Sequence, residues 1–111
     1  MIEKRIIDYL SDALNIPVYA EVPAGNHDKF LVVEKTGSYR ENLLDEATIV
    51  VQSYDESLFK AATLNTQVKA AMFEMVHEYN ISGVRLNSDY NNTDTTTKRY
   101  RYQAVFVVTY Y

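Results

Sequence analysis

The side chains that could carry out chemistry are few and lie far apart in this chain. His27 and His77 are separated by fifty residues, and neither is spaced from a carboxylate in a way that would chelate a metal. The chain has no cysteine, which excludes disulfide bonds, thiolate zinc sites and cysteine nucleophiles. The sequence therefore predicts no catalytic residue, no cofactor site and no metal site, and a protein that is not an enzyme.

One acidic segment has the composition of a calcium loop but not its pattern. Asp89 to Asp94 supplies oxygen ligands, yet the glycine in the middle of a calcium loop is missing. Tyr100 stands where the bidentate glutamate of such a loop would be. The three glycines of the chain are isolated from one another, so no phosphate-binding loop is predicted either. We interpret the acidic segment as a turn.

The run from Lys98 to Tyr102 alternates basic with aromatic residues, a combination that can stack on nucleic-acid bases. The formal net charge of the whole chain is −4, whereas a surface that grips phosphates needs a basic patch. The composition therefore favours a solvated strand face for this run. A nucleic-acid-binding accessory protein remains the alternative of a different functional class.

Length and composition indicate one globular domain that spans residues 1–111. Hydrophobic residues make up 47% of the chain and charged residues 23%, which is an ordinary balance for a folded domain. No stretch is long and apolar enough to span a membrane, so we expect no membrane partner. The chain has ten tyrosines and no tryptophan. Tyrosine suits partly solvated surfaces such as sheet edges and protein interfaces, because its ring can be buried while its hydroxyl stays hydrated.

Two amphipathic helices are predicted. Ile2, Ile6 and Leu10 recur at helical spacing, and this helix should end at Asn15 because Pro17 disfavours helical geometry in the residue before it. A second helix begins near Ser57, although Ser53 or Asp55 could also cap it. Its apolar stripe consists of Leu58, Ala61, Ala62, Val68, Met72, Val76 and Tyr79.

Strand patterns occur at residues 18–22, 29–35, 47–54 and 81–86, and a closing strand with period-two alternation ends at Tyr110. The polar segments Ser38 to Glu46 and Asn87 to Thr97 lack periodicity, so we expect mobile loops there. Phe106 lies on the apolar face of the closing strand. It is expected to share one core with Met72 of the second helix.

The predicted element order is α-β-β-β-α-β-β. Three successive strands with short connections favour antiparallel pairing, and two amphipathic helices can cover one face of the sheet. The predicted fold is α+β with two layers: a mixed, mostly antiparallel sheet of about five strands, with both helices packed on one face. The other face would be open to water or to a partner.

From Ile16 onward, the order and spacing of several short motifs resemble the tail-terminator (tail-completion, minor capsid) proteins of long-tailed bacteriophages. The motifs are Val22-Pro23, a strand from Phe30 that closes on Thr36-Gly37, Asn42, a strand with Gln52 and Tyr54, an alanine-rich helix from Ser57 to Met75, and Arg99-Tyr100-Arg101-Tyr102. The chain departs from the family pattern at Gly37-Ser38, where relatives often have two glycines, and at Tyr54, where tryptophan is common.

The resemblance implies a structural protein of the virion, assembled in the bacterial host cytoplasm and located where the tail meets the neck. Such proteins form a ring, commonly of six subunits, which caps the tail tube, stops its elongation and joins the head connector. DNA passes through the ring without sequence-specific binding. The free protein is expected to be monomeric, because a ring that closed too readily could form without a tube beneath it. A head-completion or neck adaptor protein is the alternative within the same biology.

The same resemblance leads us to expect subunit or partner contacts at exposed polar and aromatic groups. An arginine suits such contacts because its planar fork pairs with a carboxylate through two hydrogen bonds. The candidate interface residues are Arg40, Asn42, Arg99, Arg101 and Tyr111. Reversing the charges of Arg99 and Arg101 is expected, from sequence alone, to leave the fold intact and to block ring formation.

Overall fold

The computed structural model describes residues 1–25 and 27–111. Its elements are α1 (Ile2–Leu14), β1 (Val18–Tyr19), β2 (Phe30–Glu41), β3 (Leu44–Tyr54), α2 (Leu58–Glu74), a 3₁₀ turn (Met75–His77), β4 (Ile81–Asn91) and β5 (Arg101–Tyr110). The strands form one sheet in the order β1-β2-β3-β5-β4. Only β1 and β2 run parallel, so the predicted mixed, mostly antiparallel sheet and the predicted element order are confirmed.

Both helices pack on one face of this sheet, as the sequence predicts. The main core contains Ile2, Ile6 and Leu10 of α1 together with alternate residues of β2, β3 and β5. Met72 of α2 and Phe106 of β5 belong to the same core, and both are fully buried. The prediction that these two side chains share one core is therefore confirmed.

Local sequence explains where the two helices begin and end. Asn15 ends α1 with a left-handed φ of 54°, a conformation that asparagine tolerates better than most residues. Ser57 caps α2, because its hydroxyl accepts a hydrogen bond from the backbone N–H of Lys60 at 3.1 Å. Of the three possible caps, the structure thus selects Ser57.

The end of the second helix differs from the prediction. Val76 and Tyr79 were expected on the buried stripe, but 39% and 85% of their surfaces are exposed. The α-helix ends at Glu74 and continues as a 3₁₀ turn, whose tighter winding changes the direction of the following side chains. Met75 is buried instead of its neighbour Val76.

The polar segment Ser38 to Glu46 is not a loop. β2 continues to Glu41 and β3 begins at Leu44, so only Asn42 and Leu43 form the turn. Eight consecutive residues from Glu34 to Glu41 are exposed, which means that this part of β2 has no buried face. A strand that is exposed to solvent on both faces needs no alternation of apolar and polar residues. The sequence pattern therefore did not predict a strand in this segment. We call residues 37–48 the arm.

The other predicted loop, Asn87 to Thr97, is also partly a strand. β4 continues to Asn91 and pairs with β5 through Asn91 and Tyr102. The predicted first strand is shorter than expected, because only Val18 and Tyr19 pair with β2. The arm and the long β4 make the molecule elongated, with dimensions of 45 × 24 × 23 Å.

Candidate interface surfaces

A second, smaller apolar cluster lies on the sheet face that the helices leave open. The rings of Phe30 and Tyr54 stack with their centroids 4.5 Å apart and their planes 11° from parallel. Both side chains are almost completely buried, and Tyr19 packs against them from β1. This end of the sheet, where β2 begins and β3 ends, is called the arginine end below.

Two candidate interface residues, Arg99 and Arg101, cover that aromatic pair. The guanidinium carbon of Arg99 lies 5.7 Å from the Phe30 ring centroid and 5.5 Å from that of Tyr54. The guanidinium carbon of Arg101 lies 5.7 Å from the Tyr54 centroid. These distances are within the range of cation–π attraction, so both arginines have partners inside their own chain.

Hydrogen bonds hold Arg101 in place and extend across the open face. Its Nε donates to the carbonyl oxygen of Asn92 at 2.6 Å, and its Nη1 donates to the hydroxyl of Tyr54 at 3.0 Å. The Tyr54 hydroxyl donates in turn to Gln52, whose amide nitrogen donates to Gln103 at 3.1 Å. Arg101 therefore ties the segment after β4 to the sheet.

The remaining three candidates lie at the opposite end of the sheet. Arg40 is on the arm, where its Nε is 3.8 Å from a carboxylate oxygen of Asp45 and 65% of its side chain is exposed. Asn42 forms the arm's turn with a φ of 51°. Tyr111 is 66% exposed and follows Tyr110, which pairs with Asp45 of the arm, two residues from the turn. We call this the arm end.

The structure thus separates the five candidates into two groups and does not bring them into one patch. Arg101 and Tyr110 mark the two ends of β5, nine residues apart. At about 3.3 Å per residue, the two groups are roughly 30 Å apart. Two different surfaces at opposite ends are what a head-to-tail contact between identical subunits requires.

Each end of the molecule has surface features that the sequence did not indicate as contacts. At the arm end, Tyr39 and Leu43 are 60% and 79% exposed. At the arginine end, Phe59 in the first turn of α2 is 81% exposed. Its position was a usable signal, because Phe59 lies two residues before buried Ala61 and so faces away from the helix's core stripe.

The arginine end also has two depressions that share Asp55 and Glu56. The first, of about 560 Å³, lies between the basic side chains of Lys98 and Arg99 and the acidic side chains of Asp28, Asp55 and Glu56. The other, of about 290 Å³, lies beside the first turns of α2. We call the second one the α2 groove. Its size suits a side chain or two rather than a whole small-molecule ligand.

No cluster of metal-binding side chains appears in the part of the chain that the structure describes. Within residues 1–25 and 27–111, no three His, Cys, Asp or Glu side chains are grouped to hold a metal. None of the helices described there has the length and hydropathy needed to cross a membrane. Asp89 and Asp94, which flank the former calcium-loop candidate, have other partners: Asp94 accepts from the backbone N–H of Thr96 at 2.9 Å.

Asp89 instead joins β4 to α2. One of its carboxylate oxygens accepts hydrogen bonds from Lys69 Nζ at 2.8 Å and from Asn65 Nδ2 at 2.9 Å. The Lys69 hydrogen bond, supported by that of Asn65, lowers the pKa of Asp89 against the opposing effect of its partial burial. This attachment helps to explain why β4 extends beyond the residues predicted as a strand.

We expect Asp89→Ala to lower the free energy of unfolding by about 1–2 kcal/mol at pH 7, through the loss of two hydrogen bonds to a charged acceptor. Because the folded-state pKa is lowered, the stabilisation is present above the unfolded pKa of about 3.9 and disappears as the pH falls through the folded value. Urea unfolding at pH 7 and near pH 3 measures it. Asp12→Ala, at an exposed position of α1, is the control. An equal cost of Asp89→Ala at both pH values would contradict this account.

No protein-family profile matches the chain, and a search of curated proteins gives no significant match. Solved structures do show the same fold. A chain of a structure described as "Virion of native gene transfer agent (GTA) particle" superposes with a TM-score of 0.64. The match covers 98% of this chain and 89% of that chain at 14% sequence identity. The fold of this protein is therefore similar to that of a chain in a virion structure.

Proposed function

We propose that this protein is a structural component of a phage or phage-like virion, and more specifically a tail terminator. The observation that carries the proposal is the fold likeness, over nearly the whole chain, to a chain in the virion structure of a gene transfer agent. The motif order from Val22-Pro23 to the Arg-Tyr strand, which resembles tail terminators, supports the finer assignment. In this role the protein assembles in the host cytoplasm and resides at the junction of tail and neck.

In the proposed role the subunits form a ring, most simply of six copies, on the end of the tail tube. The ring stops tube elongation and offers a joining surface to the head connector. The separation of the arm end from the arginine end supports ring formation, because a repeated contact between two different surfaces closes into a ring when its rotation permits. The acidic net charge supports a lumen through which DNA passes without being held.

The experiment is removal of the gene from a producing phage or prophage, followed by electron microscopy of the lysate. A terminator predicts tails of irregular, mostly excessive length that do not join heads, and a loss of infectivity of several orders of magnitude. Restoring the gene from a plasmid should restore uniform tails. Tails of normal length without the protein would contradict the terminator role.

The second candidate is a neck adaptor, which the same fold likeness also supports because it concerns a virion component in general. An adaptor predicts normal tail length in the absence of the protein, together with heads and tails that remain separate. The length distribution of the tails therefore distinguishes the two functions directly. A nucleic-acid-binding accessory protein is less well supported, because Arg99 lies on Phe30 and Tyr54, and Arg101 on Tyr54, within the same chain.

A further inference from the structure

The two helices lie in one layer of the molecule, but their outer faces differ in composition. On α1, Lys4, Asp8 and Asp12 are exposed at helical spacing, and Lys4 pairs with Asp8 at 2.8 Å. This is the pattern of a helix that faces water. On α2 the exposed residues at helical spacing carry no charge. They are called the α2 stripe below, and they are Phe59, Thr63, Thr66, Ala70 and Phe73.

The α2 stripe presents apolar surface to solvent. Phe59 is 81% exposed, and Phe73 keeps 45% of its surface exposed although its ring also packs against the core. The hydroxyls of Thr63 and Thr66 donate to backbone carbonyl oxygens one turn earlier, at 3.0 and 3.2 Å, so neither hydroxyl needs a partner outside the helix. A helix that is apolar on both its inner and its outer side is typical of a buried position, which this chain alone does not provide for α2.

The order of residues along the α2 stripe is nearly symmetric about Thr66. Phe59 and Phe73 each lie seven residues from Thr66, and Ala70 and the half-buried Ala62 each lie four residues from it. Two copies of α2 that pack antiparallel about a two-fold axis at Thr66 therefore place Phe59 of one copy against Phe73 of the other. The small side chains of Ala62 and Ala70 between these rings allow the two helix axes to approach closely.

The charges beside the α2 stripe fit the same arrangement. Lys60 and Glu74 lie on one flank of α2, because the fourteen residues between them make almost four full turns. A two-fold axis across two antiparallel helices keeps like flanks together and exchanges the helix ends, so Lys60 of one copy meets Glu74 of the other. Within the subunit, Lys60 lies 3.5 Å from Glu56 and Glu74 lies 3.6 Å from His77. All four side chains are more than half exposed, so these internal pairs are weak and do not prevent the contact.

We propose that the α2 stripe is a self-association surface, through which two copies of this chain form an antiparallel helix pair with two-fold symmetry. The occupant is a second copy, because the symmetric order of the stripe and the exchange of Lys60 with Glu74 make this surface complementary to itself. α2 has 17 residues and is about 25 Å long. Two helix faces of this length bury on the order of 1,000 Å² in total, near the lower limit of specific interfaces. We therefore expect monomers at about 5 µM and dimers at about 500 µM.

This dimer goes beyond the proposed function and does not rest on it. An isologous contact uses the same surface on both copies and closes with two of them, whereas a ring needs a heterologous contact. The two proposals therefore fail separately. Tails of normal length in the absence of the protein would contradict the terminator and leave the dimer untouched, and a strictly monomeric protein that still controls tail length would do the reverse.

Sedimentation equilibrium over that concentration range measures the dimer. Phe59→Lys should weaken it by about tenfold or more, because it places a charge in the apolar contact. The melting temperature should stay unchanged, since Phe59 is mostly exposed. The matched control is Leu43→Lys, the same kind of change at a residue that is 79% exposed on the arm, and it should leave the dimer unchanged. A monomer at every concentration, or equal weakening by both changes, would overturn the proposal.

Reversal of charge tests the antiparallel geometry. Lys60→Glu alone and Glu74→Lys alone should each weaken the dimer severalfold, because each brings like charges together across the two-fold axis. The double variant Lys60→Glu/Glu74→Lys should restore most of the affinity, since the exchanged charges face each other again. A double variant that is weaker than either single variant would overturn the antiparallel arrangement.

The absence of cysteine from the chain permits a further test at the proposed axis. A residue on a two-fold axis meets its own copy, so Thr66→Cys should form a disulfide-linked dimer on oxidation and return to monomer on reduction. Thr95→Cys, at an exposed threonine of the β4–β5 connection, is the control and should give about tenfold less cross-linked product. Equal cross-linking of the two variants would show that the disulfides arise from random collision and would overturn the proposal.

Discussion

Replacing Phe106 with alanine is expected to lower the free energy of unfolding by about 3–5 kcal/mol, enough to unfold a domain of ordinary stability. Phe106 is fully buried at the centre of β5, where its neighbours in the sheet are Ile49 on β3 and Leu86 on β4. The ring of Phe73 on α2 meets it edge to face at 6.4 Å between centroids. The truncation therefore opens a cavity between α2 and the middle of the sheet.

The measurement is chemical and thermal unfolding of the variant beside the natural protein. The matched control is Val107→Ala, one residue further along β5, where the side chain lies on the opposite face and is only partly buried. It should cost about 1 kcal/mol. A Phe106→Ala protein with an unchanged melting temperature would show that β5 presents its other face to the helices.

Patterns that depend on burial were predictable from the sequence. The apolar stripe of α1 and the alternation of β5 both follow from one covered and one open side, and Ile6, Leu10, Ala104 and Phe106 are fully buried as these patterns require. The two-layer arrangement followed from the element order. Such signals are local, because the spacing of the apolar residues within one segment indicates which side of that segment is buried.

The arm and the end of β4 could not be predicted in this way, because they bury no continuous apolar face. The segment from Ser38 to Glu41 is a strand because its backbone pairs with Leu44 to Ala47. Backbone pairing alone requires no alternation of apolar and polar residues in the sequence. Aspartate has a low intrinsic propensity for strands, but the hydrogen bond from Lys69 on α2 to Asp89 compensates for this unfavourable propensity. Non-local contacts of this kind are invisible to a reading of neighbouring residues.

The candidate site shows the same division. Arginines in the run from Lys98 to Tyr102 were recognised by residue type, but their stacking on Tyr54 joins positions 45 and 47 residues apart. The positive φ of Leu43 is known only from the structure, because the neighbouring residues Asn42 and Leu44 have no pattern that marks a leucine for this conformation. Residue type therefore located groups able to make contacts, and the folded structure was needed to show that Arg99 and Arg101 already have partners in their own chain.

Reversing the charges of Arg99 and Arg101 together is now expected to destabilise the fold as well as to affect assembly. Arg101→Glu removes two hydrogen bonds and brings a carboxylate towards the carbonyl oxygen of Asn92. Arg99→Glu removes the cation that covers the Phe30 and Tyr54 rings. The lost hydrogen bonds and cation–π contacts lead us to expect a cost of about 2–4 kcal/mol in the free energy of unfolding.

Urea unfolding measures this cost, and amide hydrogen exchange locates it. Exchange should accelerate first at residues 92–100, because Arg101 fastens this segment to Tyr54. Arg40→Glu is the matched control, since Arg40 is 65% exposed and its separation from Asp45 is too long for a strong pair. It should change stability by less than about 0.5 kcal/mol, so a loss of assembly in this variant would report a contact alone. A double variant of Arg99 and Arg101 that is as stable as the natural protein would show instead that both arginines are free to meet another subunit, as their sequence pattern alone suggests.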